Sequence, residues 1–187
     1  MSADYDALPE STRPATLDDL KALVRALNEK DAPYLLVGGY ALALHGYQRA
    51  TTDIDVLVPP DEAAAHKVIP ALLVMPEGAA ADIDPAWFVE GENIRVNDAY
   101  TVDLLFSAAG QTYEALQPYA EVVEFDGIPI RTVNLQGLLL TKQTVRDKDQ
   151  IDRRVLERAI NLTDPENSQT AARSSPPALK RRRDIER

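Results

Sequence analysis

The sequence predicts an α/β domain, in which short β-branched runs alternate with stretches of helical periodicity. Three observations carry this reading. Leu20, Leu23, Val24 and Leu27 recur at the spacing of one buried helix face. Asp53 to Val58 alternates polar and apolar residues, as a half-buried strand does. Asp126-Gly127 divides two apolar runs and is the strongest short hairpin signal in the chain.

Each element follows from local chemistry. Residues 1–15 hold two prolines and little pattern, and read as a flexible arm. Thr16 is the expected N-cap of the first helix, with Asp18 and Asp19 in the first turn, where carboxylates suit the dipole. Asp31-Ala32-Pro33 ends that helix, and Tyr34 to Val37 reads as a strand. Gly38-Gly39 turns the chain into a short helix from Tyr40 to about Leu44, closing near His45-Gly46. Pro59-Pro60 stops the strand Asp53 to Val58. Asp61 to about Met75 is an alanine-rich helix broken by Pro70, and 76–85 is a loop.

Trp87 to Glu90, Ile94 to Asn97 and Tyr100 to Phe106 read as three strands, with Trp87 in the core. Gln111 to Leu116 is a short helix, and Glu121 to Phe125 and Ile128 to Thr132 are the hairpin strands. Asn134 caps a helix to about Thr144. Asp147 to Asn161 forms the last helix, with Ile151, Val155 and Ala159 on one face. From Thr163 onward the prolines, serines and Lys180-Arg181-Arg182-Arg183 read as a disordered basic tail, which lacks the apolar area to offset its ordering entropy.

Composition narrows the functional classes. The 187 residues favour one domain, placed over 16–162, and 45% apolar residues suffice for an ordinary core. The formal charge is −10, divided as +2 over residues 163–187 and −12 over the rest. This argues against broad, nonspecific nucleic-acid binding, but not against a nucleotide carried by a divalent cation. The absence of cysteine excludes disulfides, thiolate catalysis and cysteine-based zinc sites. The two histidines, His45 and His66, are too isolated for a His-rich metal site, and His45 reads as structural. The acidic Met1 to Asp6 does not read as a signal peptide. Tyr34 to Leu44, the longest apolar stretch, falls short of the roughly 20 residues a bilayer requires. The expectation is a cytoplasmic protein with no membrane partner.

The chemistry concentrates in two segments. Alternation along a strand puts Asp53, Asp55 and Leu57 on one side, with Ile54, Val56 and Val58 turned into the core. The two aspartates would stand about 6.5–7 Å apart, close enough to share one Mg²⁺ or bracket two. Asp103, within Thr101-Val102-Asp103-Leu104-Leu105-Phe106, joins them if its strand lies alongside. Asp98 is the alternative third acid. Three carboxylates in one cleft demand cations or a raised pKa. Gly38 and Gly39, at a strand-to-helix junction, offer main-chain amides to phosphates with no side chain in the way. In this reading Asp53 and Asp55 hold the ion that carries a triphosphate. Asp103 helps hold the ion that activates the acceptor hydroxyl for attack on the α-phosphorus. Taken singly, Gly-Gly is a plain turn about half the time and Asp-x-Asp is usually a solvated edge strand; their combination with Arg49-x-Thr51 and Asp103 is what gives the signal.

Val37-Gly38-Gly39, thirteen intervening residues and Asp53-Ile54-Asp55-Val56 together resemble the signature of the DNA polymerase beta-like nucleotidyltransferase superfamily. The fuller string, Gly38-Gly39-Tyr40-Ala41, His45-Gly46, Arg49, Thr51 and Asp53-Ile54-Asp55, is similar to the bacterial branch that includes abortive-infection toxins. Lys142, Arg146, Lys148-Asp149 and Asp152 extend the resemblance, which covers roughly residues 33–160. It implies a nucleotidyltransferase fold: a small mixed β-sheet flanked by helices, with further C-terminal helices. It implies two Mg²⁺ ions as cofactors, with a nucleoside triphosphate as substrate. Asp53 and Asp55 would be catalytic metal ligands, and Asp103 a metal ligand or base. Gly38, Gly39, Arg49, Thr51 and Lys142 would bind the nucleotide. Many members carry Ser where Gly39 stands, so here that position offers only its amide. The implied acceptor is a tRNA 3′ end or a protein, in a toxin that has an antitoxin partner. The alternatives are a small-molecule, aminoglycoside-like acceptor, or a catalytically silent binding module of the same fold.

Overall fold

The structure, a computed structural model, describes residues 12–48, 50–143 and 147–163, with only the main chain of 147–149. Arg49, Arg146 and the tail 164–187 lie outside the described residues, as do residues 1–11 of the expected arm. The side chains of Lys148 and Asp149 are likewise not described.

The fold is mixed α/β, built on one six-stranded sheet flanked by helices. The strands are β1 (Leu35–Val37), β2 (Asp53–Leu57), β3 (Ile94–Asn97), β4 (Thr101–Leu105), β5 (Ala120–Phe125) and β6 (Ile128–Val133). The helices are α1 (Leu17–Glu29), α2 (Gly38–Leu44), α3 (Glu62–Leu72), α4 (Ala86–Glu90), α5 (Tyr113–Leu116), α6 (Leu135–Leu140) and α7 (Asp147–Thr163). The sheet order is β3-β4-β2-β1-β6-β5. β2 runs parallel to β4 and β1 parallel to β6, while β1–β2, β3–β4 and β5–β6 are antiparallel. Side chains from both faces of the central strands are buried: Ile54, Val56, Val102 and Leu104 on one face, Leu35, Val37 and Leu57 on the other. Such strands need cover on both sides. Among the described residues no helix is long and apolar enough to cross a membrane.

Several local signals act as the sequence reading expected. Thr16 caps α1 in a full capping box with Asp19, and Leu20, Leu23, Val24 and Leu27 are its buried face. Asp126 and Gly127 both take positive φ (50° and 76°), the signature of a tight type I′ hairpin turn between β5 and β6.

Other elements differ, each for an identifiable reason. Residues 87–90, read as a strand, belong to helix α4 instead. Asp84 Oδ1 accepts the Ala86 amide at 2.9 Å to start the turn, and Gly91 at φ 70° ends it. Helical geometry then buries Phe88 against Phe106 and leaves Trp87 43% exposed rather than in the core. α3 runs through Pro70 and stops at Leu72, and the expected loop 76–85 contains a 3₁₀ turn at Ala79–Asp82. α6 ends at Leu140, where the Thr141 hydroxyl donates to the Leu138 carbonyl. The buried face of α7 is Asp152, Leu156 and Ala159, whereas Ile151 and Val155 are exposed. The helix is rotated because Asp152 turns inward to Lys142 at the end of α6, Nζ to Oδ2 being 3.3 Å.

Residues 13–15 of the expected arm are tied to the sheet. The Arg13 amide donates to the Ala99 carbonyl and the Ala15 amide to the Thr52 carbonyl, so the segment bridges the leading ends of β2 and β4. Tyr40 of α2 donates its hydroxyl to the Ala15 carbonyl. The Arg13 guanidinium forks onto Asp19 at 2.6 and 2.9 Å, and mainly for that reason the Asp19 carboxyl is held down at about 2.

Asp98, the alternative third acid, is a loop staple and not a site residue. Its buried carboxylate accepts the amides of Glu77, Ala79 and Ala99 at 2.9, 3.0 and 2.7 Å. Burial alone would push its pKa up, but these main-chain donors outweigh it and the net shift is downward. Asp98→Ala is expected to cost about 3 kcal/mol at pH 7, because it strands buried amides. The stability Asp98 lends is fully present above the ordinary carboxylate pKa and is lost as pH falls through its lowered value. Urea unfolding of both proteins at pH 7 and near pH 3 checks this: the gap between them must narrow on acidification.

Candidate active site

The site is built on the two parallel strands β2 and β4. Their register places Asp55 straight across from Asp103, with Asp53 across from Thr101. On a pleated sheet these positions share one face, so all three candidate aspartates project to the same side. Each is half-buried, between Val37 of β1, paired with Asp55, and Arg95 of β3, paired with Asp103.

The glycine corner closes the site from the β1 side. Gly38 takes φ +71°, and a Cβ built there would stand 2.1 Å from Asp55 Oδ2. The Asp55 carboxylate thus lies against the bare main chain where β1 passes into α2. A Cβ on Gly39 would meet Thr51 Cβ at 2.6 Å, so Thr51 fills the space a side chain at 39 would need. The Thr51 hydroxyl donates to the Asp53 carbonyl at 3.3 Å, at the entry of β2.

A cleft of about 260 Å³ opens over this corner, lined by Gly38, Asp55, Asn93, Asp103, Ser107 and Lys142. Larger hollows exist, one of about 380 Å³ beside Pro59, Asp61, Lys67 and Arg131. The smaller cleft is the better candidate because carboxylates, a glycine backbone and a buried lysine converge there. Lys142, at the end of α6, is 8% exposed and reaches the cleft while paired to Asp152 of α7.

Arg95 spans two of the carboxylates. Its Nη2 lies 2.5 Å from Asp53 Oδ2, and its Nε lies 3.7 Å from Asp103 Oδ1. Burial pushes the Asp103 carboxyl above its ordinary range; Arg95 opposes that and Asp53 adds to it. Among the described residues no group of three or more His, Asp or Glu is arranged to hold a metal ion as it stands. The donor set itself, carboxylate oxygens on one face of a rigid sheet, is the kind that hard cations such as Mg²⁺ take.

Of the residues singled out from the sequence, Gly38, Asp55, Asp103 and Lys142 line one cleft, and Asp53 adjoins it through Arg95. Gly39 and Thr51 pack on each other at its edge. His45 is structural, its Nε2–H donating to the Val133 carbonyl at 2.9 Å. Arg95, Asn93 and Ser107 were missed. The one available signal for Arg95 was its polar place between apolar Ile94 and Val96, which fixes a face but not a strand partner.

No protein-family model matches this chain, and no curated protein matches it. Among solved structures, a "putative nucleotidyltransferase" from Thermotoga maritima is similar over 87% of this chain and 97% of that one, at 17% identity and a TM-score of 0.47.

Proposed function

We propose that this chain is a metal-dependent nucleotidyltransferase, moving a nucleoside monophosphate from a triphosphate to a hydroxyl acceptor. The observation that carries this reading is the level pairing of Asp55 with Asp103, beside Asp53, opposite the side-chain-free corner at Gly38. Two Mg²⁺ ions held by Asp53, Asp55 and Asp103 would neutralise triphosphate charge and polarise the reacting phosphate. The chain's own residues do the rest. Gly38 lines the cleft with main chain alone, and Lys142 supplies a positive charge in the same lining. Arg49 and Thr51 are proposed to steady the same substrate. Asp103 is proposed as the third carboxylate of the metal-binding set, and the acceptor's proton passes to solvent as its oxygen attacks. The acceptor oxygen then forms its bond to the α-phosphorus, the bond to the bridging oxygen breaks, and pyrophosphate leaves.

A tRNA 3′ end or a protein is the proposed acceptor, in a toxin restrained by an antitoxin. An aminoglycoside-like cation is the other acceptor class the acidic surroundings would favour. The clasp of Arg95 on Asp53 favours a second reading, a silent binding module whose carboxylates are already neutralised. Incubation with Mg²⁺, each of the four α-labelled triphosphates and total tRNA or lysate separates the two. Label transferred by the protein and lost in Asp53→Asn is the expected result. Triphosphate binding without transfer to any acceptor would give the second reading.

A further inference from the structure

Among the described residues Arg95 is the cation paired with Asp53 and Asp103, and nothing in the proposed reaction uses it. Its position follows from topology. Antiparallel pairing sets Arg95 beside Asp103, and the parallel β2–β4 pair sets Asp103 beside Asp55, so a row Arg95–Asp103–Asp55 crosses three strands. From the outer strand the guanidinium reaches over this row to Asp53 Oδ2 at 2.5 Å, with Nε 3.7 Å from Asp103 Oδ1. These are oxygens a divalent ion would need. A guanidinium hydrogen-bonded to a carboxylate oxygen and a hard cation bound to that oxygen repel each other strongly at contact distance.

We propose that Arg95 is a built-in counter-cation that holds the carboxylate set together in the metal-free protein, and must release Asp53 before a divalent ion can bind. The inference rests on the nucleotidyltransferase reading and deepens it: Arg95 sets how much divalent cation the site requires. The side chain is 56% exposed, which gives it solvent to swing into. A partly exposed pair of this kind holds weakly enough to be exchanged.

The test is a titration of the full chain with Mn²⁺ alone, followed by the electron paramagnetic resonance signal of free Mn²⁺, with no nucleotide present. Arg95→Gln and Arg95→Met are expected to bind Mn²⁺ about tenfold more tightly than the unaltered protein, from loss of both the competitor and its repulsion. The same variants should melt at lower temperature without metal and recover when Mn²⁺ is added. Affinity that is equal or weaker in both variants, while the unaltered protein still binds Mn²⁺, overturns the competition and leaves the transferase reading standing. No Mn²⁺ binding by any of the three proteins overturns the metal site itself, and this inference with it.

Discussion

Asp55→Asn is expected to reduce nucleotidyl transfer by about a thousandfold, equivalent to some 4 kcal/mol of barrier, while leaving the fold intact. The substitution keeps shape and removes charge. Asp55 lies between Val37 and Asp103 in the sheet register, so its removal takes out the middle member of the carboxylate row. Asn offers one neutral oxygen where a hard cation needs an anionic one. The strand is secured by Ile54, Val56 and Leu57, all 2% exposed or less, none of which is touched. Transfer of labelled nucleotide and the urea midpoint should therefore separate: the first collapses and the second barely moves. Transfer above a tenth of the unaltered rate would remove Asp55 from the reaction.

The second large effect is at Gly38. Gly38→Ala is expected to destabilise the fold by about 2–4 kcal/mol and to displace the Asp55 carboxylate. Two costs combine there. The residue has φ +71°, where a Cβ is strained, and that Cβ would sit 2.1 Å from Asp55 Oδ2 and 2.8 Å from its Cγ. Gly46 provides an internal control. It has φ +86° with nothing within 4 Å of its added Cβ, so Gly46→Ala bears only the conformational cost, about 1–2 kcal/mol. Urea unfolding of the two variants isolates the contact between Gly38 and Asp55 as the difference. Equal losses would show that the close approach has no energetic weight.

What the sequence made legible was local. The Thr16 cap, the Asp126-Gly127 turn and the alternation around Asp53 and Asp55 each depend on residues a few positions apart, and each appears as read. The differences arise at helix boundaries and where distant segments decide. Residues 87–90 have strand-like composition, but the Asp84 side chain and Gly91 bracket them as one helical turn. α7 has an apolar stripe at Ile151 and Val155, yet it turns Asp152 inward, because a buried Lys142 needs a partner charge. Asp98 resembled a spare ligand until the loop 77–79 folded over it. Within the site, the glycine corner and the paired aspartates were visible from spacing and resemblance. Arg95 was not, because its proximity to Asp53 depends on β3 lying outside β4, a fact of topology rather than of neighbouring residues.

The level match of Asp55 and Asp103 also constrains how the gene can vary in length. Between β2 and β4 the chain wanders through α3, α4 and β3, so codons gained or lost in the exposed stretch near Glu92 alter a loop and little else. One codon gained inside β4 ahead of Asp103 would turn that carboxylate to the opposite face of the sheet. Natural indels in descendants of this gene should therefore crowd into the connections and spare the two parallel strands.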